Sequence, residues 1–156
     1  MYDTKTYLTY KVGKETFATE VDSIKSVIEY SELSQAPELP SYVIGLLNYN
    51  GEALPVVDSR IKLGFKSSDE NENTFIIVFD IINEGTTYKA GLLVDEVTEV
   101  VEIKNADIKP APSIGKLYTT RYINGVYLSG ESLIMLLDVK KLIENFDVFK
   151  TDQQIV

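Results

Sequence analysis

The sequence of 156 residues contains no cysteine and no histidine. The missing cysteines exclude disulfides, thiolate chemistry and zinc sites built on sulfur. The missing histidines remove the usual general base and the commonest transition-metal ligand. We therefore expect no catalytic residues, no metal site and no bound cofactor.

Long apolar runs are absent as well. No stretch reaches the roughly 18 apolar residues that a membrane-spanning helix needs, and the N-terminal segment "MYDTKTYLTY" lacks the basic start and apolar core of a signal peptide. We expect a cytoplasmic protein with no direct membrane insertion. The net charge of −9 repels phosphate backbones, so we expect no nucleic-acid partner.

What the chain does contain is alternating apolar patterning in β-branched and aromatic residues. Hydrophobic residues make up 44% of the chain and charged residues 25%, a balance typical of a globular protein with a core. Four segments each show the pattern of a single strand, the second and fourth of them long: "TYLTYKV", "FATEVDSIKSVIEY", "TFIIVFDII" and "AGLLVDEVTEVVEI". The sequence therefore predicts a mainly β protein.

Two short helices interrupt this pattern, one after a hairpin and one near the C-terminus. Asp58 is a candidate N-cap for "SRIKL", with Gly64 at its end, and Asp138 is a candidate N-cap for "VKKLIENF". The first helix follows the segment "LPSYVIGLLNYNGEALPVVDSR". At its centre, Asn50-Gly51 predicts a tight type I′ hairpin, because both central residues of that turn need positive φ.

The chain also resembles itself. "VDSIKSVIE" from Val21 matches "VDEVTEVVE" from Val94, an offset of 94 − 21 = 73 residues. "YVIGLLNYNGEALPVVDSR" from Tyr42 matches "YINGVYLSGESLIMLLDVK" from Tyr122, an offset of 122 − 42 = 80 residues. Two matches in the same order indicate two copies of one unit of about 75 residues.

Four or five short strands usually close into a small barrel, because closure removes unpaired edges. We predict two small five-stranded SH3-like β-barrels packed side by side. Residues of about 5–65 form the first and about 73–146 the second, within one domain at 1–150 that is followed by a tail at 147–156. The sequence leaves open whether a strand exchanges between the barrels.

Three blocks of sequence carry a resemblance to a known family. The first runs from a proline-flanked loop through a glycine turn to a strand, and its matching residues are Pro40, Tyr42, Val43, Gly45, Asn48, Gly51, Pro55, Val56, Val57 and Asp58. The others are "GLLVDEVTEVV" at Gly91 to Val101 and "IKPAP" at Ile108 to Pro112. In this order they resemble the CheW-like domain family of chemotaxis coupling (adaptor) proteins, from about Thr6 to Phe146.

This resemblance implies a scaffold without enzymatic activity. Family members join the cytoplasmic tips of chemoreceptors to the regulatory domain of the histidine kinase CheA, and ring or array assembly is a further expectation. The alternative is a CheW-like domain of a larger signalling protein, such as a CheV-type adaptor or CheA itself. Because no receiver or ATP-binding segment is present, a complete coupling protein is the simpler interpretation.

The resemblance also implies two binding surfaces. The expected receptor-binding groove contains Leu8, Val21, Ile24 and Val97, for which core packing is the competing interpretation. The expected kinase-binding surface contains Gly45, Asn50, Gly51, Ala53 and Arg60. For the glycines, turn geometry is the competing explanation; for Arg60, a solvated side chain is the alternative to an interface contact.

One turn position departs from the family pattern. Many relatives read N-L-R-G before the turn glycine, whereas this chain reads Asn48-Tyr49-Asn50-Gly51. Asn50 suits the turn better than arginine, because it tolerates positive φ. The turn has therefore lost a long cation, and we expect it to act through its shape.

Two other functions fit the sequence less well. A glycosidase-like carboxylate pair at Asp95 and Glu96 is disfavoured, because adjacent residues on a strand point to opposite faces. A nucleic-acid-binding barrel that stacks bases on some of the ten tyrosines is disfavoured by the charge of −9.

Overall fold

The computed structural model describes residues 3–64, 74–111 and 122–144. The strands are β1 (Thr4–Val12), β2 (Glu15–Glu20), β3 (Ile24–Glu29), β4 (Val43–Tyr49), β5 (Glu52–Asp58), β6 (Phe75–Asn83), β7 (Thr86–Val94), β8 (Glu96–Lys104), β9 (Ile123–Ser129) and β10 (Ser132–Leu137). The α-helices are α1 (Ser59–Leu63) and α2 (Val139–Glu144). Within the described ranges, no helix is long and apolar enough to cross a membrane.

The ten strands form two five-stranded sheets. The first sheet has the order β8-β1-β2-β10-β9 and the second the order β3-β6-β7-β5-β4. Neighbouring strands are antiparallel except for β2 with β10 and β5 with β7, which are parallel. The prediction of a mainly β protein with two five-stranded units is confirmed.

Each sheet combines strands from both copies of the repeat. The first takes β1 and β2 from the first copy and β8, β9 and β10 from the second, and the other sheet takes the complementary set. If each strand is replaced by its counterpart in the other copy, one sheet order becomes the other. The exchange that the sequence left open is therefore reciprocal, and the sheets do not follow the predicted boundary between 5–65 and 73–146.

This exchange corrects the interpretation of two segments as single long strands. "FATEVDSIKSVIEY" contains β2, a 3-10 turn at Val21–Ser23 and then β3, which lies in the other sheet. "AGLLVDEVTEVVEI" is divided in the same way at Asp95, between β7 and β8. Periodicity missed the crossover because apolar residues continue on both sides of it.

The predicted turns and helix caps are confirmed. Asn50 and Gly51 have φ values of 51° and 86°, as a two-residue turn between β4 and β5 requires. The Arg60 amide donates to Asp58 Oδ1 at 2.9 Å, and Gly64 ends α1 in the left-handed region with φ of 85°. In the second copy, the Lys141 amide donates to Asp138 Oδ1 at 3.0 Å.

Apolar side chains form one large cluster that joins the two sheets, here called the central cluster. It includes Tyr10 and Phe17 from the first sheet and Phe79 and Leu92 from the second. A smaller cluster lies on the opposite side of each sheet. The two sheets are thus joined by a shared core.

Candidate functional site

The edge strands β3 and β8 flank the central cluster at equivalent positions. In β3, the pairing register with β6 shifts between Ile24 and Ser26, so Ile24 opposes Phe79 and Val27 opposes Ile77. Directly opposed residues of an antiparallel pair share a face. Ile24 and Val27 therefore both lie on the face of the central cluster, since Phe79 and Ile77 belong to it.

The same irregularity occurs in β8. Its register with β1 shifts so that Val97 opposes Tyr10 and Val100 opposes Leu8, and both of these partners belong to the central cluster. Val27 is 40% exposed and Val100 is 59% exposed. We call Val21, Ile24, Val27, Val97 and Val100 the edge groove, because they carry the apolar central cluster to the surface.

The structure places the four predicted groove residues around one cluster. Val21, Ile24 and Val97 are half-buried and pack against the central cluster, and Leu8 is a buried member of it. Leu8 thus supports the groove from below. The sequence missed Val27 and Val100, which the internal repeat makes equivalent, because strict alternation assigned Ile24 and Val27 to opposite faces before the bulges were known.

The hairpin of β4 and β5 brings together three of the five residues expected at the kinase-binding surface. Asn50, Gly51 and Ala53 are exposed. The Gly51 amide donates to Asn48 Oδ1 at 2.9 Å, which fixes the turn. Beside it lies an open cleft of about 320 Å³, lined by Ser34, Leu46, Leu47, Asn48, Gly51, Glu52 and Ala53.

Gly45 lies beneath this surface and is buried. A Cβ atom at Gly45 would lie 2.8 Å from Leu33 Cβ and 2.9 Å from the Ser34 carbonyl oxygen. The Ser34 segment needs this close approach, because it forms a bridge with Leu46 through two backbone hydrogen bonds of 2.8 and 2.9 Å. Gly45 therefore shapes the surface from below.

The alternative of a solvated Arg60 side chain is wrong, because that side chain is only 4% exposed. Its Nε atom lies 3.2 Å from Asp58 Oδ1, and its Nη1 atom lies 3.3 Å from Asp95 Oδ1. Asp95 Oδ2 also accepts a hydrogen bond of 2.6 Å from the Gly13 amide. Arg60 thus links α1 of the second sheet to the β1–β2 turn of the first.

This ion network also accounts for one of the two carboxylates considered as a catalytic pair. Asp95 is committed to Arg60 and Gly13, whereas Glu96 is exposed at the start of β8. Tyr10, a fully buried residue of the core, is likewise structural: burial raises the pKa of Tyr10, and its hydrogen bond of 2.7 Å with Thr19 offsets part of that rise. Both groups serve the fold.

Comparison with known proteins agrees with this architecture. The family model described as "CheW-like domain" matches residues 6–147. The chemotaxis protein CheW of Klebsiella aerogenes is 26% identical over 146 residues, which cover 94% of this chain and 86% of that protein. The chemotaxis protein CheW of Thermotoga maritima is 30% identical over 141 residues, covering 90% and 89%.

A solved structure shares the fold as well. The scaffolding protein TtCheW from Thermoanaerobacter tengcongensis superposes with a TM-score of 0.79 at 25% identity, covering 88% of this chain and 86% of that one. These matches do not favour the alternative of a domain from a CheV-type adaptor or from CheA. The chain therefore belongs to the family of CheW-like domains and is a chemotaxis scaffold or adaptor.

Proposed function

We propose that this protein couples the cytoplasmic tips of methyl-accepting chemoreceptors to the regulatory domain of a CheA-type histidine kinase, without catalysing a reaction itself. The edge groove carries this proposal, because it extends the apolar central cluster to exposed side chains at Val27 and Val100, and exposed apolar surface of this kind marks a binding site. Two separate surfaces, the groove and the β4–β5 hairpin, suit a protein that holds two partners at once.

The receptor occupies the edge groove in this proposal. Ile24 and Val97 form its half-buried floor, and Val27 and Val100 present the exposed apolar surface. Three glutamates of β8, Glu96, Glu99 and Glu102, are exposed along the same strand. A receptor segment with apolar anchors and flanking basic residues would complement this surface.

The kinase domain occupies the β4–β5 hairpin. Asn50, Gly51 and Ala53 supply the contact surface, and the adjoining cleft of about 320 Å³ provides a shaped surface without a long cation. Gly45 and Arg60 act indirectly, since both are buried. The scaffold acts in the cytoplasm and is recruited to membrane-associated receptor arrays, where its two binding surfaces allow ring or array assembly.

The decisive experiment is reconstitution with a purified CheA-type kinase and a receptor fragment, with receptor-dependent kinase autophosphorylation as the readout. Ile24→Asp and Val97→Asp should abolish receptor binding, because an unpaired carboxylate in an apolar groove costs several kcal/mol. Leu128→Asp is the matched control, since Leu128 is 59% exposed and lies in β9, at the opposite edge of its sheet from β8.

Three outcomes separate the parts of the proposal. Normal receptor binding by both folded groove variants would remove the receptor from the edge groove. Loss of the folded state, detected by circular dichroism, would assign Ile24 and Val97 to the core alone. Kinase activity that stays independent of the receptor in the presence of the wild-type protein would refute the coupling function itself.

A further inference from the structure

The Arg60 site has a counterpart in the second copy of the repeat. Asp138 is equivalent to Asp58, and Lys140 is equivalent to Arg60. The two places share the backbone hydrogen bond that precedes the helix, since the amide of Asp58 donates to the Tyr42 carbonyl at 2.8 Å and that of Asp138 to the Tyr122 carbonyl at 2.7 Å. The fold therefore contains this junction between the end of a strand and the start of a helix twice, and we call each junction a corner.

The corner of the first copy is filled by a side chain, whereas the corner of the second copy contains a cleft. In the first copy the buried Arg60 guanidinium occupies the space between Asp58 and Asp95. In the second copy Lys140 is exposed, and a cleft of about 360 Å³ lies at this corner. Its charged and amide-bearing lining residues are Lys5, Glu20, Asp80, Asn105, Asn124, Asp138 and Lys140.

The cleft contains a carboxylate where the first copy has a lysine. Asp80 is equivalent to Lys11, because Phe79 opposes Ile24 in the same way that Tyr10 opposes Val97. The Asp80 Oδ1 atom is buried and has no hydrogen-bond partner within the described ranges. The Lys89 ammonium forms an ion pair with it at 3.9 Å, a distance too long for a hydrogen bond.

The other charges around the cleft are already engaged. Lys5 Nζ lies 2.9 Å from Glu20 Oε1, and this partner raises the pKa of Lys5 through a hydrogen bond and charge attraction. Asp138 Oδ1 accepts from the Lys141 amide. Asp80 is thus the carboxylate in the cleft whose Oδ1 atom accepts no hydrogen bond within the described ranges, and its side chain is still 37% exposed, so a donor that enters the cleft can reach the carboxylate.

We infer that this cleft binds an arginine side chain from a partner protein. A guanidinium offers five donors in a planar array that suits carboxylates arranged around a pocket. The structure contains the precedent, since Arg60 fills the equivalent corner. The net charge of −9 also favours a cationic partner segment.

The test uses N-acetyl-L-arginine methylamide as a probe of an arginine within a chain, titrated into ¹⁵N-labelled protein and followed by NMR. We expect saturable shifts of the amide signals of Glu20, Asp80 and Asn124. The matching lysine compound should bind at least about tenfold more weakly, roughly 1.4 kcal/mol. Equal binding of the two compounds, or shifts scattered over the surface, would overturn the inference.

Two conservative variants provide the sharpest comparison. Lys140→Arg recreates the Arg60 corner, so its own guanidinium should occupy the cleft and weaken probe binding at least about tenfold. Lys141→Arg is the matched control on the next residue of α2, which is exposed and does not line the cleft, and should bind normally. Unchanged probe binding by Lys140→Arg would exclude this corner as the site.

Further experiments test whether Asp80 is the carboxylate that binds the probe and whether the bound arginine belongs to a partner protein. Asp80→Asn, which is nearly isosteric, should weaken the probe about tenfold, and normal binding by this variant would refute the role of Asp80. Free L-arginine that binds more than about tenfold tighter than the blocked compound would indicate a small-molecule ligand and overturn the protein partner. Arg121, the only other arginine, lies outside the described residues; tighter probe binding by Arg121→Gln would assign the cleft to the chain's own arginine and also overturn it.

Discussion

Replacing Arg60 with methionine should destabilise the protein severely. Methionine keeps an unbranched side chain but removes the charge that neutralises Asp58 and Asp95, whose side chains are only 6% and 14% exposed. Removing one partner of a buried ion pair costs about 3–5 kcal/mol, because the remaining charge is left uncompensated. For a chain of this size we expect the melting temperature to fall by roughly 6–20 °C.

Urea titration followed by circular dichroism measures this loss. Lys141→Met is the matched control, because Lys141 is an exposed residue of α2, and it should change the free energy of unfolding by less than about 0.5 kcal/mol. The double variant Arg60→Met/Asp95→Asn should be less destabilised than the sum of its two single variants, since one orphaned carboxylate is then neutral.

The same variant separates a structural Arg60 from an interface residue. At a temperature where Arg60→Met remains folded, its affinity for the kinase domain should stay within about threefold, roughly 0.6 kcal/mol. A loss of stability below about 0.5 kcal/mol, combined with a large loss of kinase affinity, would refute the buried network and restore Arg60 to the kinase-binding surface.

Three further predictions test the core, the close backbone approach and the turn. The free energy of unfolding should fall as the pH rises above about 10, because burial raises the pKa of Tyr10 and only the unfolded chain then loses that proton. Urea titrations at several pH values measure this dependence, and Tyr10→Phe should reduce it. An unchanged dependence on pH in Tyr10→Phe would contradict the assignment. Gly125→Ala should cost about 1–3 kcal/mol in the same titrations, because the new Cβ would lie 2.8 Å from the Lys109 carbonyl oxygen, and a neutral effect would show that the Lys109 segment yields freely. Asn50→Arg should change kinase affinity by less than about threefold, as measured by calorimetry; a large gain would show that this surface still requires a cation.

Features set by local chemistry were predictable from the sequence. The Asn50-Gly51 turn, the caps at Asp58 and Asp138 and the end of α1 at Gly64 were all correctly located, because each depends on a few neighbouring residues. The duplication was also visible, since both copies retain similar residues at their hairpins and helix starts. These features fix the elements and their order along the chain.

Features set by contacts between distant residues were not predictable. Asp95 reads as part of a continuous strand, yet the chain leaves one sheet and enters the other there. The bulges that place Val27 beside Ile24 depend on the pairing of β3 with β6. The sequence did not predict the burial of Arg60, because Asp58 was identified only as a helix cap and because the second partner, Asp95, lies far away in the sequence.

The duplication itself separates positions that build the fold from positions free to bind partners. Gly45 and Gly125 are both buried where a neighbouring segment approaches closely, so both copies need glycine there. The hairpin surfaces differ instead. Where the first copy has Asn48 and Ala53, the second has Leu128 and Leu133, which oppose each other and are 59% and 44% exposed.

The same backbone therefore presents a polar hairpin in one copy and an apolar one in the other. Arg60 and Lys140 diverge in the same sense, since one fills its corner and the other leaves a cleft. A symmetric fold with asymmetric surfaces cannot bind one partner in two equivalent ways. Binding at the equivalent surfaces of the two copies must then be tested separately, with variants made in pairs at equivalent positions. If the two variants of a pair differ in effect, the position acts in partner binding. If both have the same effect, the position acts in the fold.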